Sequence, residues 1–453
     1  MIFDADNETL PREELQALQL RRLQITVERC YETVRFYREA MDELEIKPHH
    51  IQTLSDAKYL PFTKKEQLRD NYPFGMFAVP ADQVLRLHAS SGTAGKPIVV
   101  GYTRRDISHW SQLVARSLSA AGLRPGDRLH NAYGYGLFTG GLGLHYGAET
   151  LGLMAIPISS GQTQRQIMLL NDFGATALCC TPSYALNIAE EAEALGVDMR
   201  KLSLRVGLFG AEPWSEEMRY ELESRLHIDA LDIYGLTEMM GPGVGVECLE
   251  GKHGLHLWED HFLVECVDVD TGEPLPYGEQ GEIVITSLTK EAFPLLRFRT
   301  RDISVLDAAP CKCGRTHVRM RRISGRSDDM LIIRGVNVFP TQVEAILMRT
   351  ETLSPFYQIE VSREGFLDSM IVNVEASPPL YAKGQEFMDR VSAKVQKDLK
   401  DFIGISCTVH VHPTGTIERS MGKAIRVIDH RSKTAPDQPN KLHQEKNRSK
   451  EKH

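Results

Sequence analysis

The feature that most constrains this chain is a run of alternating patterns between residues 177 and 234. Ala177-Leu178-Cys179-Cys180-Thr181 reads as a buried strand, and Pro182-Ser183 opens a helical pattern that continues through Glu190 to Leu195. Proline suits a first helical turn, where its missing N–H would have no partner anyway. Arg205 to Ala211 is a second strand, Trp214 to Leu226 a second helix, and Ala230 to Tyr234 a third strand. Strand–helix–strand–helix–strand at this spacing predicts a largely parallel sheet covered by helices. Such sheets bind ligands at the carboxyl ends of their strands. The loops after Leu87, Phe209 and Tyr234 are therefore where chemistry is expected.

A chain of 453 residues exceeds what one hydrophobic core supports, so at least two domains are expected. Residues 11–44 carry apolar side chains at helical spacing (Leu15, Leu18, Leu23, Val27, Val34) and predict one or two amphipathic helices. The weakly polar stretch from Tyr133 to Ser160 is broken by glycines and holds His145 and Glu149; it reads as loop and buried strand. From Phe262 to Arg299 short strands are separated by Asp270-Thr271-Gly272 and Pro276-Tyr277-Gly278 turns, predicting an antiparallel β subdomain. After the charged connection Gly325-Arg326-Ser327-Asp328-Asp329 comes a smaller unit. It holds a strand (330–334), a helix opened by a Thr341-x-x-Glu344 capping box, two strands (357–375), a helix (385–402) and a last strand (407–413). The expected organisation is α/β: a large domain over 1–327 with helix-covered, mostly parallel sheets plus a β subdomain, and a small α+β domain over 328–431. Residues 432–453 are almost devoid of apolar side chains and are expected to be disordered.

Charge excludes some functions. A net charge of −8 gives no basic surface for nucleic acid. The acidic start, Met1-Ile2-Phe3-Asp4-Ala5-Asp6, lacks the basic and apolar regions of a signal peptide, so a cytoplasmic protein is expected, with no membrane partner. Eight cysteines in so long a chain do not suggest a disulfide framework, and Cys30, Cys179, Cys180 and Cys266 sit in apolar surroundings as packing residues.

Three motifs can carry chemistry. Ser90-Ser91-Gly92-Thr93-Ala94-Gly95-Lys96-Pro97 is rich in small residues that let several backbone N–H groups face one anion, with hydroxyls and Lys96 adding donors and charge. It departs from the common nucleoside-triphosphatase loop in glycine spacing, and it has Pro97 where a magnesium-binding hydroxyl would stand. In Asp232-Ile233-Tyr234-Gly235-Leu236-Thr237-Glu238, Tyr234 can stack on a base, Thr237 can touch a phosphate and Glu238 can hold magnesium. In Arg299-Thr300-Arg301-Asp302, Asp302 can accept from both ribose hydroxyls. Taken singly, these are equally a turn, a polar strand end and a surface ion-pair cluster.

In this order, and completed by Gly325-Arg326-x-Asp328-Asp329…Arg334-Gly335 and Gly422-Lys423, the motifs resemble the full set of the adenylate-forming enzymes across residues 90–423. Asn131-Ala132-Tyr133-Gly134-Tyr135-Gly136-Leu137-Phe138-Thr139-Gly140-Gly141, Gly210-Ala211-Glu212-Pro213-Trp214 and Gly415-Thr416-Ile417-Glu418-Arg419-Ser420 resemble the phenylacetate–coenzyme A ligases in particular. Ala94 departs from that pattern, in which a threonine is usual. The resemblance implies an ATP-dependent ligase that joins an aryl acid to coenzyme A through an acyl-adenylate. ATP would lie on Gly210, Ala211, Glu212 and Pro213 and on Asp232, Ile233, Tyr234 and Gly235. Asp302 and Arg326 would hold the ribose, Ser90 to Lys96 the departing phosphates, and Glu238 magnesium, with Thr237 beside it. Lys423 would act on the carboxylate and α-phosphate. The acid would sit among Tyr133, Phe138, Ala211 and Gly235. Asp328 would be the hinge, and Arg334 and Gly335 would receive coenzyme A.

Cys311-Lys312-Cys313 and Cys248-x4-His253 form two short N/S pairs of the kind that hold structural zinc, with His256 or His261 as alternatives to His253. Two other functions remain open: a ligase with an acceptor other than coenzyme A, and a nucleotide-binding regulator without catalysis. A homodimer is compatible with the sequence.

Overall fold

The computed structural model describes residues 1–90, 96–334, 336–364 and 367–431. The three strands anticipated from the alternating run form as Ala177–Cys180, Val206–Gly210 and Asp229–Leu236, and they are parallel neighbours. Arg128–Asn131 and Met154–Ile156 extend the parallel half. The helices between them begin where the sequence offers caps: the Thr181 hydroxyl accepts from Tyr184 N, and the Ser215 hydroxyl from Met218 N.

The β subdomain is not a separate sheet. From Asp229–Leu236 the sheet continues antiparallel through Gly241–Val246 and Leu255–Leu257 to the two-residue strand Arg319–Met320. That strand passes it on to Phe298–Asp307, Gln280–Ser287 and Phe262–Val267. Twelve strands thus form one surface, with Gly325–Arg326 paired beside Phe298–Asp307. The anticipated N-terminal helices form as Arg12–Thr33 and Arg35–Glu43.

Residues 133–160 differ from the expectation. A helix, Thr139–Leu151, runs through what reads as loop and strand. Two of its glycines, Gly143 and Gly147, are contact points with the neighbouring helix Arg104–Ala120, while Gly140 and Gly141 pack against the loop of residues 133–138. A Cβ at Gly147 would lie 2.2 Å from Val114 Cγ1, and one at Gly143 would lie 2.4 Å from Trp110 Cζ2. The two helices approach so closely that only hydrogen fits between them.

The small domain has a four-stranded sheet in the order Thr408–His412, Leu367–Ala376, Leu353–Glu364, Val427–Asp429, backed by helices Pro340–Met348 and Gln385–Ile403. A hairpin of Leu331–Ile333 and Val336–Val338 leads into it. The Thr341/Glu344 capping box does not form. The helix starts at Pro340, Thr341 donates to Ser324 O at 2.5 Å, and Glu344 accepts from Ser215 N and from Tyr357 Oη. Long-range partners have outcompeted the local cap. Among the described residues no helix is long and apolar enough to cross a membrane.

Gly147→Ala tests the helix contact. Helix propensity alone would stabilise the variant by up to about 1 kcal/mol. Overpacking against Val114 should instead cost about 1–3 kcal/mol, read as a lower midpoint in urea unfolding. A midpoint at or above that of the parent would refute the close approach.

Candidate active site

The cleft lies at the carboxyl ends of Val206–Gly210 and Asp229–Leu236, where the strands are forced together. A Cβ at Gly210 would stand 2.0 Å from Ile233 O, and one at Gly235 would stand 1.9 Å from Gly241 O. Neither position admits any other residue without moving backbone. Ala211 takes a left-handed φ of 71° directly after Gly210, a conformation costly for a residue with a Cβ. Pro213 follows at the exposed rim.

Tyr234 and Asp302 meet across the sheet. The Tyr234 hydroxyl donates to Asp302 Oδ2 at 2.6 Å, and Arg326 Nη1 donates to Oδ1 at 2.9 Å. Burial raises the Asp302 carboxyl above its ordinary value and Arg326 pulls against it. Arg326 also makes a two-pronged pair with Asp328, both contacts 3.0 Å, and reaches Asp329 at 3.3 Å. One guanidinium therefore joins Asp302 to the connection between the domains. Asp232 is half-buried nearby; burial raises its carboxyl to about 6, opposed by Arg322.

Thr237 and Glu238 are buried, with Thr237 Oγ1 3.4 Å from Thr139 Oγ1. Lys65 Nζ stands 4.0 Å from Glu238 Oε1. Sequence reasoning missed Lys65, because Lys64-Lys65-Glu66 is indistinguishable from any solvated helix face. Phe138 and Tyr133 come together over Gly140, whose Cβ would lie 2.9 Å from the first ring and 3.3 Å from the second.

Lys423 enters this cleft from the small domain. Its Nζ lies 6.0 Å from the centre of the Phe138 ring. The cleft is open to solvent at this point, yet the surrounding walls lower the lysine below its ordinary value, while Glu212 and Glu238 oppose that shift. Backbone contacts hold the lysine's loop: Ala424 N donates to Glu212 Oε2 at 2.9 Å, and the Thr181 hydroxyl donates to Gly422 O at 2.9 Å. Arg419 spans Glu190 of the large domain and Glu375 of the small one. The Glu212 carboxylate, anticipated as a nucleotide contact, is thus taken up by Ser183 N and Ala424 N. Burial pushes its carboxyl up, against Arg426.

Ser90 pairs with Ile98, accepting from its N–H through Oγ at 3.2 Å, and Lys96 Nζ stands 5.2 Å from the centre of the Tyr72 ring. Ser91, Gly92, Thr93, Ala94 and Gly95 lie outside the described residues, as do Gly335 and the tail 432–453. Arg334 has a left-handed φ of 51° and donates to Asp368 O within the small domain.

The anticipated metal set needs one correction. Cys248, His256, Cys311 and Cys313 place their ligand atoms within 4.8 Å of one another, and His253 is not among them. His253 is an exposed turn residue whose carbonyl accepts from Arg319. His256 lies in the strand Leu255–Leu257 and is fully buried. His261, the other alternative, is engaged by Thr289 and Asp260.

Fold and cleft are those of an AMP-binding enzyme: the chain matches that family over residues 15–289 and the AMP-binding enzyme C-terminal domain over 335–431. It is 54% identical over 426 residues to the phenylacetate-coenzyme A ligase of Escherichia coli, covering 94% of this chain and 97% of that one. To the phenylacetate-coenzyme A ligase of Thermus thermophilus it is 52% identical over 442 residues, covering 95% and 99%. The chain belongs to the phenylacetate–coenzyme A ligase family of the adenylate-forming superfamily. Among solved structures it resembles 2-hydroxyisobutyryl-CoA ligase in its postadenylation state at a TM-score of 0.89, with 28% identity over 94% of this chain and 91% of that one. Against the thioesterification state of the same enzyme the score is 0.70, with 29% identity over 94% and 92%. The domain arrangement seen here matches the former.

Arg326→Met should leave the buried Asp302 carboxylate with Tyr234 alone, at a cost of about 3 kcal/mol. The sign with pH is set by linkage: a carboxyl whose folded pKa lies above its unfolded one binds its proton more tightly when folded, so stability falls as pH rises through that interval. Removing the cation widens the interval. Urea unfolding should therefore show a larger deficit at pH 8 than at pH 5; equal deficits would place the charge balance elsewhere.

Proposed function

We propose that this chain couples an aryl carboxylic acid of the phenylacetate type to coenzyme A, using ATP and releasing AMP and pyrophosphate, with an acyl-adenylate between the two half-reactions. The observation that carries the reading is the position of Lys423, in one cleft with Glu238, Phe138 and the Tyr234–Asp302–Arg326 set. The activity of the relatives named above supports it.

A carboxylate attacks a polyphosphate poorly, because both are negative and the oxygen must line up with the leaving group. Lys423 supplies positive charge where the carboxylate and α-phosphate meet. Tyr234 would meet the base, and the Asp302 carboxylate, already held by Tyr234 and Arg326, would accept from the ribose hydroxyls. The loop from Ser90 to Lys96 receives the departing phosphates. Glu238 would hold magnesium, offering the hard oxygen donor that ion prefers. When bound, magnesium neutralises phosphate charge. Tyr133 and Phe138 form the apolar wall that an aryl ring requires, and filling the open cleft with acid and nucleotide would exclude water from the reactive anhydride.

The large domain over 1–327 binds ATP and acid, and the small domain over 328–431 alternates. Asp328 lies at the pivot, where its pairing with Arg326 must be remade as the domain turns. Rotation withdraws Lys423 and brings Arg334 and Gly335 to the thiol's path, glycine leaving room for the pantetheine arm.

Acid-dependent exchange of labelled pyrophosphate into ATP, followed by product analysis with coenzyme A, tests the reading. Exchange with phenylacetate and a coenzyme A thioester product are expected. Exchange without thioester would favour another acceptor, and no exchange with any aryl acid would favour a regulator. Lys423→Ala should slow adenylation roughly a hundredfold but spare thioester formation from pre-made phenylacetyl-adenylate. Equal loss in both half-reactions would defeat the alternating domain.

A further inference from the structure

The Cys248, His256, Cys311 and Cys313 cluster lies outside the cleft and has no part in the ligase chemistry. Its dimensions can be compared with those of a metal site. Zinc binds thiolate sulfur at about 2.3 Å and imidazole nitrogen at about 2.0 Å, so the ligand atoms of a tetrahedron stand about 3.8 Å apart for sulfur–sulfur and about 3.5 Å apart for sulfur–nitrogen. Here Cys248 Sγ and Cys311 Sγ are 3.5 Å apart, and Cys313 Sγ is 3.4 Å from His256 Nε2. All four ligand atoms lie within 4.8 Å of one another. The sulfurs are too far apart for a disulfide, which needs about 2.0 Å. Three soft sulfurs and one imidazole, with no carboxylate, select zinc over magnesium or calcium; iron is the competitor.

The surroundings are built around the sulfurs. Gly251 N and Lys252 N both donate to Cys248 O, and Gly314 N donates to Cys311 O, so each sulfur-bearing segment closes in a tight turn. A Cβ at Gly251 would lie 3.0 Å from Cys248 Sγ and 3.2 Å from Cys311 Sγ, which leaves space for hydrogen only. Three thiolates on a dication leave one negative charge. Buried Arg315 lies beside Cys313 and is steadied by Glu8 Oε2 at 2.6 Å and by Met1 O.

The placement gives the cluster a task. The parallel half of the sheet carries Tyr234 and the antiparallel half carries Asp302, and Arg319–Met320 joins them. That strand makes two register pairs with Phe298–Asp307 and two with Leu255–Leu257. The seam is two residues wide. Cys248 and His256 belong to one side of it, while Cys311 and Cys313 lie on the connection leaving Phe298–Asp307. We propose that these four residues bind one structural zinc ion, which staples the seam and thereby holds Asp302 against Tyr234. The zinc itself stands on the ligand geometry alone. The consequence for ATP rests on the nucleotide site proposed above.

The full-length protein, purified without chelators or metal-affinity resin, should contain one zinc per chain by elemental analysis. Protein produced with cobalt(II) in its place should show the thiolate charge-transfer and tetrahedral d–d absorption of a sulfur-rich site. Cys311→Ser with Cys313→Ser should lose the metal and melt at a lower temperature. Amide exchange should quicken in 298–307 and 319–320, and the KM for ATP should rise several-fold while kcat changes less. If that variant does not fold, chelator titration of the parent protein gives the same exchange and KM readings. No stoichiometric metal, iron in place of zinc, or a Cys248–Cys311 disulfide would overturn the site. Metal loss that left exchange at 298–307 and the KM for ATP unchanged would overturn the staple. Parent protein with zinc but no pyrophosphate exchange would count against the ligase reading alone.

Discussion

The buried carboxylate of Asp302 is the point on which the arrangement turns. It is gripped by a hydroxyl from the parallel half of the sheet and by a guanidinium at the domain connection, Tyr234 at 2.6 Å and Arg326 at 2.9 Å. A buried anion is tolerable only when it is paired and hydrogen-bonded. Its two partners therefore cannot drift apart, and neither can the elements that carry them. Arg326 in turn grips Asp328, so the charge balance at Asp302 and the geometry of the domain connection share one side chain.

Closure of the small domain is held differently, mostly by small polar contacts that can be exchanged for water. Glu212 accepts the amide of Ala424, Thr181 donates to the carbonyl of Gly422, and Ser215 donates its amide to Glu344. Arg419 and Arg349 add ion pairs to Glu190 and Glu217. The Arg349–Glu217 pair is exposed on its arginine side and is worth little, while the Arg419–Glu190 pair is half-buried. A small domain held by such contacts, with no large shared core, suits the alternation proposed above. The hydrophobic clusters among the described residues fit that picture: two lie within the large domain apart from Phe356 and Ile417, and two lie wholly within the small domain.

Much of this was legible in sequence because its causes are local. The 177–234 alternation dictates parallel strands since each segment's burial pattern is a property of consecutive residues. The order of the polar motifs carries the resemblance to the adenylate-forming enzymes. The family resemblance rests on the same residues.

What the sequence by itself determined, then, is which segments bury and where their chemistry-bearing ends lie. The tertiary structure decided which distant groups meet. Gly143 and Gly147 in Thr139–Leu151 read as loop because the reason for them, the surfaces of Trp110 and Val114, lies on another helix. The Thr341/Glu344 box failed because Ser324 and Ser215, far away in the chain, compete for the same side chains. His256 replaces His253 at the sulfur cluster because strand pairing with Arg319–Met320, not spacing from Cys248, sets which imidazole faces the thiols. Lys65 reaches Glu238 across 173 positions, a separation no local pattern encodes. In each case a contact's free energy depends on a partner that only folding brings within reach.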